Sequence, residues 1–191
     1  MPDAPPTRER LIDAAARNFR RRGYAATGVK AVLRESHAPY GSLYHHFPGG
    51  KSDLGVAAIE RGSEEYLELT QMYFDDDDTP LDVCIERFFL GAADLLIATD
   101  FEDACPIATI AGEIASTDAA MRAAAGRAFE SWIAVVEARL AREGITRDTA
   151  RRCAVQLFCA IEGAFLLART TRSTEPLLAA GAGVIAALPA T

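Results

Sequence analysis

Apolar residues recur three and four positions apart along almost the whole chain, and little of it alternates apolar and polar with period two. Thr7 is placed to cap a first helix whose stripe is Leu11, Ile12, Ala15, Ala16 and Phe19, with Gly23 to end it. Arg20, Arg21 and Arg22 fall in its last turn, where cations suit the helix dipole. Thr27 is placed to cap a second, short helix with Val29, Val32 and Leu33 inward. SHAP then interrupts, and Pro39 suits the first turn of a third helix in which Leu43 and Phe47 lie one turn apart. Two short helices across a tight turn make a helix-turn-helix, whose second helix usually enters the DNA major groove.

Beyond the Pro48-Gly49-Gly50 break the same spacing predicts a fourth helix from Lys51 to Phe74 and a fifth opened by Thr79-Pro80. A loop at 100–106 precedes a sixth, from Pro106 to Ala115. Ser116 or Thr117 is expected to cap a seventh helix, Thr146 an eighth and Ser173 a ninth spanning 176–188. The predicted fold class is all-α, about nine helices. A helix-turn-helix module over 1–50 is expected to join a larger helical body over 51–191.

The net charge of −7 conceals a split. Residues 1–51 carry nine Lys and Arg against four Asp and Glu, while the rest carries eleven against 23. A basic end on an acidic body offers one face to a polyanion and keeps the remainder soluble. The amino terminus lacks the apolar core of a signal peptide, and the uncharged run 176–191 is too short to span a bilayer. A cytoplasmic protein without a membrane partner is the expectation. Cys84, Cys105, Cys153 and Cys159 show no metal-ligand spacing and read as reduced thiols.

Other motifs fall away on inspection. Gly50-Lys51-Ser52 ends like a phosphate loop, but His45 stands where the first glycine belongs and no strand precedes it. Asp75 to Asp78 lack calcium-loop spacing and read as a solvated loop. His37, His45 and His46 have no carboxylate or Cys at zinc spacing. GAGVIA, 181–186, follows no strand, so its glycines are expected to allow close helix packing. No catalytic motif stands out, and neither metal nor cofactor is expected.

The order ATGVKAVL, APYGSLYHHF, GGKSDL, preceded by FRRRGYAAT, resembles the DNA-binding module of the TetR family of transcriptional repressors. APYGSLYHHFPGGK together with ACPIAT at 104–109 looks most like its LmrA/YxaF branch. The resemblance implies a nine-helix protomer that dimerises through its last two helices and binds a small molecule among the middle ones. It further implies a repressor on a palindromic operator, released by a small hydrophobic or aromatic effector. Tyr44 and His45 match the family's phosphate contacts. Two departures are His37, where the family's turn usually has Gly, and Gly28, where Ser or Thr is common.

On this reading Lys51 and the first N–H groups of the fourth helix grip one strand, and Thr27 and Gly28 another point on double-stranded DNA. Pro39, Tyr40, Gly41 and Ser42 face base edges. The effector is expected where the fourth helix meets the body, with Phe88, Phe89, Phe129 and Trp132 as aromatic walls. Glu113, Gln156 and Glu162 are polar residues in apolar stretches and hence candidate ligand contacts. Leu157, Ile161 and Phe165 are candidates for the homodimer interface. Rival readings are a redox-sensing regulator using a cysteine and a helical adaptor for other proteins.

Overall fold

The computed structural model describes residues 5–189; the first four residues, inside the expected 1–50 domain, and the last two, at the end of the uncharged run, lie outside it. Among the described residues there are nine helices and no strand. They are α1 (Thr7–Arg22), α2 (Val29–Glu35), α3 (Ser42–His46), α4 (Lys51–Phe74), α5 (Leu81–Ala98), α6 (Pro106–Ile114), α7 (Ala119–Arg142), α8 (Arg147–Thr171) and α9 (Glu175–Ala186). Two compact units divide them. One holds the chain up to Glu65 with Pro106–Ala128, the other Tyr66–Cys105 with the chain from Phe129 onward.

In the first unit α1 buries Leu11, Ile12, Ala15 and Phe19, and Val32, Leu33, Leu43 and Phe47 complete the core of the small module. Gly23, at φ 85°, closes α1 in a conformation that costs an L side chain dearly. The α1–α2 pairing is polar as well. Buried Asn18 and Arg17 both donate to Glu35, the latter at 2.8 Å. Burial by itself would raise the Glu35 carboxyl, but those hydrogen bonds, with the charges of Arg17 and Arg22, hold it below its ordinary value. Arg61 of α4 ion-pairs with Glu9 and Asp13 of α1.

Several expected caps are replaced. Thr7 is the first residue of α1 and Pro6 its N-cap, with no side-chain bond. Pro39 precedes α3, accepting the N–H of Ser42 at 2.9 Å in a turn. Neither Ser116 nor Thr117 caps α7; Asp118 does, accepting the N–H of Met121 at 3.0 Å. Ser173 is not the N-cap of α9 either: Thr174 holds that position without a side-chain bond, and Ser173, one residue earlier, accepts the N–H of Glu175 at 3.2 Å. His37 adopts φ 50°, the left-handed conformation the missing glycine would have taken.

In the second unit Trp132 is the centre of an aromatic cluster, with ring centroids 5.6 Å from Tyr66, 5.5 Å from Phe129 and 6.1 Å from Phe158. The acidic run 75–78 is exposed, as expected of a solvated loop, and hydrogen bonds tie it down. Asp77 accepts from Arg142 at 2.7 Å, Asp76 from the Thr79 hydroxyl at 2.7 Å, and buried Arg139 donates to the Thr79 carbonyl at 2.9 Å. Of the glycines in GAGVIA, Gly181 permits close packing: a β-carbon there would lie 3.0 Å from Phe89, whereas Gly183 faces open space. Helix α8 is long and apolar enough, by length and composition, to cross a membrane. Its stripe from Ala150 to Ala168 is nevertheless buried in this unit.

Candidate nucleic-acid interface and effector cavity

The first unit presents a short recognition element with little internal work to do. Leu43 anchors α3 in the core, which turns Pro39, Tyr40, Gly41, Tyr44 and His45 outward. Tyr40 is 67% and Tyr44 59% exposed, the largest apolar-bodied side chains on this face. Ser42 is half-buried at the first turn of α3. Gly28 is exposed and is the N-cap of α2.

Two expected anchors are placed differently. Thr27 is 2% exposed and does not cap α2. Its hydroxyl donates to the Gly23 carbonyl at 2.8 Å, because the turn after α1 folds the side chain back onto the helix it has just left. A duplex contact through that hydroxyl is thereby corrected. Lys51 is half-buried, its ammonium donating to the Tyr24 carbonyl at 2.6 Å and lying 4.2 Å from the Tyr24 ring centroid. Burial pushes its pKa down, and the charge of Glu113 pushes back. Asp53 accepts the Gly49 N–H at 2.7 Å, so a carboxylate already stands at the start of α4.

Glu113 proves to be part of this unit rather than a ligand contact. Exposed on α6, it accepts the backbone N–H groups of Tyr24 at 3.1 Å and Ala25 at 2.5 Å. One carboxylate thus takes two backbone donors of the turn between α1 and α2. A lone Glu in an apolar stretch gave no hint of a partner 88 residues away. Ser52 donates to Asp118 nearby.

The second unit contains a cavity of about 390 Å³, within the range of small-molecule sites. Helix α4 contributes Tyr66, Leu69 and Tyr73 to its wall, α5 contributes Phe88, Asp94 and Leu95, and α8 contributes Ile161 and Phe165. Only Phe88 of the expected effector residues lines it. Phe89 instead faces a groove between α5 and α9, Phe129 and Trp132 pack in the aromatic cluster, and Gln156 is exposed. Glu162 lies off the cavity wall. Burial pushes its carboxyl up to about 7, with the Cys105 thiol hydrogen bond opposing. The expected dimer residues Leu157, Ile161 and Phe165 are buried within their own protomer, the last two against the cavity. Leu166 and Leu167 of α8 and Leu178 of α9 are exposed instead. The tyrosines and Asp94 were missed because no motif marks them and each reads as ordinary helix surface.

A basic helix-turn-helix with an outward α3, joined in one chain to an all-helical unit with an apolar cavity, defines a class of one-component DNA-binding regulators. Profile comparison agrees: residues 11–58 match "Bacterial regulatory proteins, tetR family", and residues 83–183 match "Transcriptional regulator LmrA/YxaF-like, C-terminal domain". The chain is 32% identical over 174 residues to the HTH-type transcriptional regulator LmrA of Bacillus subtilis, covering 90% of this chain and 91% of LmrA. It is 31% identical over 172 residues to the same organism's YxaF, an uncharacterized HTH-type transcriptional regulator, covering 90% of each. The chain belongs to the TetR family of transcriptional regulators. Its fold is shared with the regulatory protein TetR from Rhodobacter sphaeroides, at TM-score 0.84 and 24% identity over 94% of this chain and 97% of that one. The reduced form of E. coli NemR gives TM-score 0.81 at 24% identity, over 97% and 99%.

Proposed function

We propose that the protein is a cytoplasmic repressor that binds a palindromic operator as a homodimer and lets go when a small hydrophobic or aromatic molecule occupies the cavity of its second unit. Residues 1–50 carry the DNA contacts and residues 51–191 the effector and the partner protomer. The observation that carries this reading is the outward face of α3: Tyr40 and Tyr44 are large, exposed and uncommitted to the core. Exposed aromatic residues on a helix-turn-helix are explained by base and phosphate contact. Pro39, Tyr40, Gly41 and Ser42 read base edges. Tyr44, His45 and the Gly28 N–H hold phosphates, and Lys51 adds a cation once it exchanges the Tyr24 carbonyl for a phosphate oxygen. No catalytic role is assigned.

A ligand can shift a two-state protein only through unequal affinity for the two states. The cavity wall takes Tyr66, Leu69 and Tyr73 from α4, the helix that begins at Lys51. An occupant therefore touches the same helix that follows the recognition module. The test is a fluorescence-anisotropy titration against the DNA upstream of the protein's own gene at several salt concentrations. Preference for one segment over scrambled DNA, with steep loss of affinity as salt rises, is expected. Equal binding to scrambled DNA would remove the regulator reading.

A further inference from the structure

From the cavity wall we infer that the effector is a lipophilic cation: a flat aromatic body carrying a protonated amine. This rests on the effector reading above and narrows it to a chemical class. Among the described lining residues Asp94 alone carries a charge. It is exposed on α5 while it borders the apolar wall. An anionic ligand would meet that carboxylate without a compensating cation on the wall; a protonated amine would pair with it. The rings of Tyr66, Tyr73, Phe88 and Phe165 supply the remainder, and aromatic faces attract cations as well as flat apolar rings.

The wall is also shaped for Tyr73. A β-carbon on Gly91 would lie 2.2 Å from the Tyr73 hydroxyl oxygen, so the absence of a side chain at 91 lets that phenol lie across α5. Both residues line the cavity with Asp94, which is three positions further along the same helix. A polar hydroxyl and a carboxylate thus border one apolar space, an arrangement suited to an amine that donates more than one hydrogen bond.

The test uses the full-length protein and three probes of matched shape: naphthylmethylamine, naphthylmethanol and naphthoate. Calorimetric titration is expected to rank amine above alcohol above carboxylate, with about a fivefold gap between amine and alcohol that narrows at high salt. Asp94→Asn should erase the gap by weakening the amine far more than the alcohol. Gly91→Ala displaces Tyr73 and should weaken the amine and the alcohol together, which locates both in this cavity. Naphthoate binding as tightly as the amine, or an amine preference that survives Asp94→Asn, overturns the inference. Failure of all three to bind overturns both it and the cavity's role. Charge-ranked binding that leaves DNA affinity unchanged upholds the ligand class and sinks the effector reading alone.

Discussion

At the scale of single residues, the two sorts of DNA contact should separate experimentally. Tyr40→Ala is expected to cost about 1–3 kcal/mol at particular base pairs and to relax sequence choice there. Lys51→Ala should weaken all sequences alike and reduce the salt slope by about one, as loss of a phosphate contact does. Binding of each variant to an array of operator point mutants distinguishes these outcomes. A Lys51→Ala protein with an unchanged salt slope would mean that the ammonium stays on the Tyr24 carbonyl in the complex. Glu162 makes a separate prediction. Its carboxyl is raised to about 7 by burial, so between its ordinary value and 7 the folded state binds the proton that the unfolded state has released. Stability therefore falls as pH rises through that window and levels off above it, by an amount on the order of 3 kcal/mol. Glu162→Gln should flatten the profile, measured by denaturant unfolding between about pH 5 and pH 8. An unchanged slope would show that Glu162 is solvated.

At the scale of elements, the amphipathic pattern made the helices legible because one buried stripe per helix is enough to specify each of them. Helix α1 keeps its stripe and its Gly23 stop, and α3 keeps its Leu43 anchor. What the pattern could not carry was the partnering of polar groups across long sequence separations. Thr27 looked like a cap and is instead folded back onto Gly23, and Glu113 looked like a ligand contact and instead secures the backbone of Tyr24 and Ala25. The cavity was hidden for a related reason. Tyr66 and Tyr73 of α4, Asp94 of α5, and Ile161 and Phe165 of the distant α8 become a wall only when those helices pack. The Glu113 contact is testable. Glu113→Ala hands two exposed backbone donors from a carboxylate to water and should cost about 0.5–1.5 kcal/mol in thermal or denaturant unfolding while leaving helix content intact. Gly23→Ala should cost at least a comparable amount, since its β-carbon would fall 2.1 Å from a Glu113 carboxylate oxygen at a positive φ. Combining the two should cost less than their sum, because removing Glu113 also removes the clash.

At the scale of the whole molecule, α8 has to be explained on both sides. Its inward stripe is consumed by its own unit, where Leu157, Ile161 and Phe165 are buried. Yet Leu166 is 68% and Leu167 56% exposed on the other side, and Leu178 of α9 is 45% exposed. Leucines scattered singly on a surface need no explanation, but two consecutive exposed ones on α8 do, and the proposed homodimer supplies one. A two-fold interface pairs a surface with its own copy, so a charge placed there meets the same charge from the partner. Leu166→Asp with Leu167→Asp is therefore expected to convert a dimer into a monomer in light scattering, with circular dichroism unchanged because neither residue serves the protomer core. Operator affinity should fall by far more than a surface mutation can explain, since each half-site would be bound singly and the second contact would no longer benefit from the first. A protein that stays dimeric with both aspartates in place would move the interface elsewhere. One that becomes monomeric yet keeps full operator affinity would show that a single α3 suffices.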